Sequence, residues 1–154
     1  MAEIVFISPS REVTELAVSL MKDDHSEIQV VTARLKEGVA VAQEAVQNGA
    51  RVLISRGFTH RMIMEALPHI PLVEVALSGY DILRVYLMAR QTCQPIAVVG
   101  SEDVVEGVTS VEDILGIENK CIKVVVDNYQ EYASSIEKAA LLGGACILGN
   151  QAVA

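Results

Sequence analysis

Ala50-Arg51-Val52-Leu53-Ile54-Ser55-Arg56-Gly57-Phe58-Thr59 reads as a short apolar strand that ends in a hydroxyl, a guanidinium and a glycine. A strand that is apolar at consecutive positions is covered on both faces, as in a parallel sheet flanked by helices. Similar runs stand at Ile4–Ile7, Ile28–Thr32, Leu72–Val75, Ile96–Val99, Ile122–Val126 and Cys146–Leu148. Their starts lie about 20 to 26 residues apart, the length of one strand, one helix and two short loops.

Between the runs the apolar period becomes helical. Val13, Leu16, Ala17, Leu20 and Met21 follow the i, i+3, i+4, i+7, i+8 stripe of an amphipathic helix. Leu35, Val39, Ala42 and Val46 repeat it, with Gly49 placed for a left-handed helix end. Met62, Ile63, Ala66 and Leu67 form a shorter stripe stopped by Pro68 and Pro71, and Ile82, Leu83, Tyr86 and Leu87 form another. Asn128 and Glu131 make a capping pair before Tyr132, Ile136, Ala139 and Ala140, and Gly143-Gly144 closes that helix. Strand–helix alternation gives an α/β fold with a parallel sheet and right-handed crossovers. The length of 154 residues suits one domain or two small lobes. Charge marks a boundary near Arg90 to Pro95, with nine Lys/Arg against eleven Asp/Glu before it and three against nine after it. The expected division is therefore 1–92 and 93–154. Cys146-Ile147-Leu148-Gly149-Asn150-Gln151-Ala152-Val153-Ala154 reads as a strand and a turn toward a further helix, so the second lobe is expected to be incomplete.

Composition excludes several functions. An apolar fraction of 51% against 21% charged excludes disorder. Four Tyr, two Phe and no Trp leave an aliphatic core and no platform for stacking bases. A net charge of −8 opposes contact with a phosphate backbone, so direct nucleic-acid binding is not expected. No apolar run approaches the ~18 residues of a membrane span, and Met1–Ile7 lacks the basic start of a signal peptide. Cys93, Cys121 and Cys146 are odd in number and form no CxxC pair, which fits a reducing cytoplasm. His25, His60 and His69 lack metal-ligand spacing, and Asp23-Asp24 lies in a turn rather than at a strand end. No phosphate loop, dinucleotide glycine pattern or nucleophile elbow is present, so neither metal nor cofactor is expected.

In parallel α/β sheets ligands bind beyond the carboxyl ends of the strands. Three loops there are rich in hydroxyls, glycine and arginine: Ser8-Pro9-Ser10-Arg11, Ser55-Arg56-Gly57-Phe58-Thr59-His60-Arg61 and Ser78-Gly79-Tyr80-Asp81. Helix starts offer unpaired N–H groups and partial positive charge. Gly57 and Gly79 let a ligand approach the backbone, Ser8, Thr59 and Ser78 carry hydroxyls, and Arg11 and Arg56 can each grip a carboxylate by two parallel hydrogen bonds. Together they suit a small anion. The plainer alternative is that these residues are ordinary helix caps and surface arginines.

Residues 50–59, with Ile70-Pro71-Leu72-Val73-Glu74-Val75 and Ser78-Gly79-Tyr80-Asp81-Ile82-Leu83, resemble the N-terminal receptor domain of the propionate catabolism activators, which are sigma-54-dependent transcription activators. Phe58 stands where many members carry a second glycine. The resemblance implies two flavodoxin-like or chelatase-like doubly wound lobes, a methylcitrate-like tricarboxylate effector, and a downstream ATPase domain and helix-turn-helix DNA-binding domain that read out the signal. It places Ser55, Arg56, Gly57, Thr59, Ser78, Gly79 and Tyr80 around the effector.

The leading expectation is a sensor without catalytic residues. Ser8, Arg11, Ser55, Arg56, Gly57, Thr59, Ser78, Gly79, Tyr80, Gly100 and Ser101 are its ligand residues, the last two contributed by the second lobe. Two alternatives stay open. One is a small-carboxylate isomerase or racemase, with His60 as a conceivable base. The other is a dimerisation module, and homo-oligomerisation is undecided.

Overall fold

The computed structural model describes residues 2–21 and 27–149. Asp23-Asp24, His25 and Asn150–Ala154 lie outside the described residues. The chain forms two compact units, Met1–Ala76 and Leu77–Ala154.

The first unit runs β1 (Ile4–Ser8), α1 (Arg11–Leu20), β2 (Ile28–Thr32), α2 (Leu35–Gln47), β3 (Val52–Ser55), α3 (Gly57–Ala66) and β4 (Leu72–Glu74). Its sheet is parallel throughout, in the order β2-β1-β3-β4. Ile4 stands opposite both Ile28 and Val52, which makes β1 an interior strand. Val5, Ile7, Ala42, Leu53 and Ile63 are buried in an aliphatic core, as the shortage of aromatics requires. At Gly38 of α2 a methyl group would run into Cγ2 of Thr59 on α3, so the glycine sets how closely these helices approach. Gly49 has φ 100°, the left-handed end expected after α2.

The second unit runs α4 (Gly79–Thr92), β5 (Ile96–Gly100), α5 (Glu102–Ile114), β6 (Ile122–Val125), a 3-10 turn (Tyr129–Glu131), α6 (Tyr132–Leu141) and β7 (Cys146–Gly149). Its parallel sheet has the order β6-β5-β7. The core comprises Tyr86, Ile96, Val98, Val104, Val105, Val108, Val111 and Leu148. Asn128 accepts from the Glu131 amide at 3.2 Å and caps the 3-10 turn that leads into α6.

The expected α/β fold and all seven strands are present. The dividing point differs from the charge boundary after residue 92. Helix α4 buries Tyr86, and packs Ile82, Leu83 and Ala89, in the core of the second unit. Charge is a surface property, whereas apolar contact decides which core a helix joins. Helix α3 also begins earlier than its apolar stripe suggested, at Gly57 with φ 57°. Helix α5, which the sequence pattern did not mark, places Val104, Val108 and Val111 at helical spacing in the core.

Candidate functional site

In the first unit the chain leaves β1 toward β2 on one side and returns to β3 on the other. Beyond the carboxyl ends of β1 and β3 lies the switch point where such sheets hold ligands. Ser8 closes β1 and Ser55 closes β3, both fully buried. The Ser8 hydroxyl donates to the Ser10 carbonyl at 2.9 Å, and the Ser55 hydroxyl donates to the Ile7 carbonyl at 3.1 Å. In the described structure both hydroxyls are thus engaged with backbone carbonyls at the strand ends.

The starts of the three helices at this edge differ. At α1, Ser10 accepts from the Val13 amide, and Glu12 lies in the first turn. Hydrogen bonds from its own backbone and from Ser10 hold the Glu12 carboxyl below the usual range, so α1 supplies its own anion. Arg11 pairs with Glu15 at 2.8 Å with its side chain 85% exposed, which engages it on the outer surface of its own helix. At α2, Arg34 is the N-cap, exposed, without a side-chain cap, and Glu37 follows. At α3, Arg56 is the N-cap, no side chain caps the amides, and the first turn holds no acidic residue. Arg56 is half-buried and makes no ion pair among the described residues. Gly57 has a left-handed φ, and a methyl group in place of its hydrogen would meet nothing within 4 Å, so open space lies beside the first amides. Thr59 is buried, and its Oγ1 accepts from the Leu35 amide at 2.9 Å, tying the start of α2 to that of α3. His60 is 8% exposed, and its Nδ1 is buried without a hydrogen-bond partner.

Ser8, Ser55, Arg56, Gly57 and Thr59 therefore share the carboxyl edge of one sheet. Arg34 and His60 belong with them, and sequence reasoning did not place Arg34 there. Its available signal was position: Ala33-Arg34 directly follows β2, as Arg56 directly follows β3.

Ser78, Gly79, Tyr80, Gly100 and Ser101 belong to the second unit. The Ser78 hydroxyl accepts from the Asp81 amide at 3.2 Å and the Ser78 amide donates to the Asp81 carboxylate at 3.2 Å, a reciprocal capping box, and the Ser78 hydroxyl also donates to that carboxylate at 2.6 Å. That carboxylate already occupies the helix start. Gly79 is exposed and Tyr80 is 74% exposed. Gly100 and Ser101 are buried where β5 meets α5, and the next residues are Glu102 and Asp103. The starts of α4 and α5 thus carry carboxylates in their first turns.

The thiols lie at the other end of the second sheet. Cys93 ends α4, Cys121 precedes β6 and Cys146 opens β7. Burial, reinforced by Glu112, pushes the Cys121 thiol up to about 12. Fully buried Glu112 accepts from the Cys121 amide at 2.6 Å and the Tyr86 hydroxyl at 3.2 Å, and pairs with Lys123 at 2.7 Å. Among the described residues no group of three or more His, Cys, Asp or Glu could hold a metal ion. No helix among them is long and apolar enough to cross a membrane.

Residues 22–154 match the family model described as propionate catabolism activator. No curated protein matches the chain. Among solved structures, the crystal structure of an NtrC family transcriptional regulator from Clostridium acetobutylicum is similar, at 21% identity and a TM-score of 0.76. The match covers 94% of this chain and 75% of that one, and at this identity the likeness is one of fold.

Proposed function

Because this chain belongs to the propionate catabolism activator family, we propose that it is the effector-sensing part of a transcription activator. Its first unit takes a small di- or tricarboxylate at the start of α3. Occupancy of that site is relayed to an ATPase domain of the full-length cytoplasmic protein. The chain senses and carries out no reaction. Arg56 holds a carboxylate, the first amides of α3 complete its hydrogen bonds, and Ser8, Ser55 and Thr59 fix the loops around it. A bound anion acts on the downstream domain only through a difference in its affinity for two arrangements of the receptor.

One observation carries this reading. Of the three helix starts at the switch-point edge, only that of α3 has an unpaired, half-buried guanidinium at its cap and no carboxylate in its first turn. A negatively charged protein that keeps one helix start free of carboxylate has a place for an anion. Isothermal titration with citrate, tricarballylate, malate and succinate tests it. Saturable binding of at least one is expected, with Arg56→Ala weakening it about tenfold or more, the scale of a lost charge-assisted hydrogen bond. Absence of heat with all four, or an unchanged affinity in Arg56→Ala, would remove the anion site.

A further inference from the structure

Strand β6 carries one charge, and that charge meets a buried partner. Cys121-Ile122-Lys123-Val124-Val125-Val126 is otherwise apolar, rich in β-branched residues and free of proline and glycine. A run of this kind on the edge of a sheet is a template for pairing with another chain. β6 is such an edge, since among the described residues it pairs with β5 alone. The Val126 amide donates inward to the Gly100 carbonyl of β5 at 2.8 Å. Backbone groups alternate sides along a strand, so those of Lys123 and Val125 point out from the free edge. The Lys123 ammonium lies 2.7 Å from the carboxylate of Glu112 on α5, with a quarter of the lysine side chain exposed and none of the glutamate's.

Such a pair is weak evidence for stability, because neutral groups of like volume often serve a fold as well. Its position on the sheet gives another reason for it. A charge directed inward on an edge strand opposes edge-to-edge pairing. We propose that Glu112 holds Lys123 in β6 so that the free edge of this strand does not pair with a second copy of the chain. An incoming strand would run about 5 Å from β6 and cover the part of the Lys123 side chain that still meets water. Removing that contact with water is costly for a charge and costs an apolar side chain nothing. The valines and the isoleucine of the run favour pairing, and the single ammonium group opposes it.

Glu112→Gln together with Lys123→Met tests this in the whole chain. The pair of changes removes both charges, keeps an acceptor for the Cys121 amide and the Tyr86 hydroxyl, and leaves the net charge at −8. The variant should keep its urea midpoint yet self-associate at a concentration about tenfold lower, read by light scattering. Adding Val125→Pro, which removes an outward amide and no bond to β5, should return association to that of the unaltered protein. Hydrogen exchange reads the same contact without a further substitution, because the amides of residues 123 and 125 should slow on association. Asp113→Asn with Lys120→Met removes an exposed pair of like charges, 2.6 Å apart and outside the strand, and should leave association unchanged. No gain in association in the first variant, a gain without slowed exchange at residues 123 and 125, or an equal gain in the exposed-pair variant would overturn the proposal. So would failure of the first variant to fold, because the ion pair would then serve the fold itself.

Discussion

Glu112 shows how a single carboxylate can organise a buried region. Burial alone would raise its pKa, but the Lys123 ammonium and the Cys121 amide outweigh that, and the carboxyl sits below its ordinary value. A carboxyl whose folded pKa is depressed stabilises the fold above its unfolded pKa of about 4.3, and that contribution disappears as pH falls through the lower, folded value. Acid unfolding followed by circular dichroism should therefore show Glu112→Gln losing less stability than the unaltered protein, over a window of roughly pH 5 to pH 3. At neutral pH the same substitution leaves Lys123 without its partner and should cost about 3 kcal/mol, measured by urea denaturation. Cys121 offers a second check. With its thiol pushed up to about 12, it should be alkylated by iodoacetamide at about pH 8 far more slowly than a free cysteine.

At the scale of elements, the contact between α2 and α3 depends on pairings that no local pattern announces. Thr59 accepts from the Leu35 amide across 24 positions of sequence, and its methyl group fills the space beside Gly38. Leu35 itself has φ 53°, a left-handed backbone that a leucine adopts at some cost, and the bond to Thr59 helps to hold it there. Thr59→Val keeps the shape and removes the acceptor. It should lower stability by about 1 kcal/mol and speed hydrogen exchange at the Leu35 amide. Gly38→Ala should cost about 1–3 kcal/mol by forcing a methyl against the stiff, β-branched Thr59. Gly107→Ala should cost less, because the methyl there meets the flexible end of Ile82. The strands were legible because each is a compact apolar run, and α1 and α2 because their stripes are regular. Helix α5 was less legible because Val104, Val105, Val108 and Val111 favour strands by propensity, and only their spacing is helical. The loop after β3 was legible as a site, but the competing carboxylates of Glu12, Asp81, Glu102 and Asp103 gained meaning only once each was seen in the first turn of a helix.

For the whole molecule, each of the two units has its own core. With the division after Ala76, the first unit has seven Lys/Arg against ten Asp/Glu and the second five against ten. The sharper imbalance seen across Arg90 arose because Arg84 and Arg90, both on α4, were counted with the wrong core. Leu53→Ala removes a fully buried side chain from the first core and should cost about 3 kcal/mol. Hydrogen exchange should then quicken in β1 to β4 while β5 to β7 keep their protection, and an equal rise in both sheets would mean that the cores unfold as one. Each core is also assembled from one continuous stretch of chain. During synthesis β1 emerges first, and β2 and β3 arrive in turn to take places on either side of it, so the first sheet can close while the second is still being translated. The order in which the ribosome delivers these strands is therefore also a workable order in which to fold them.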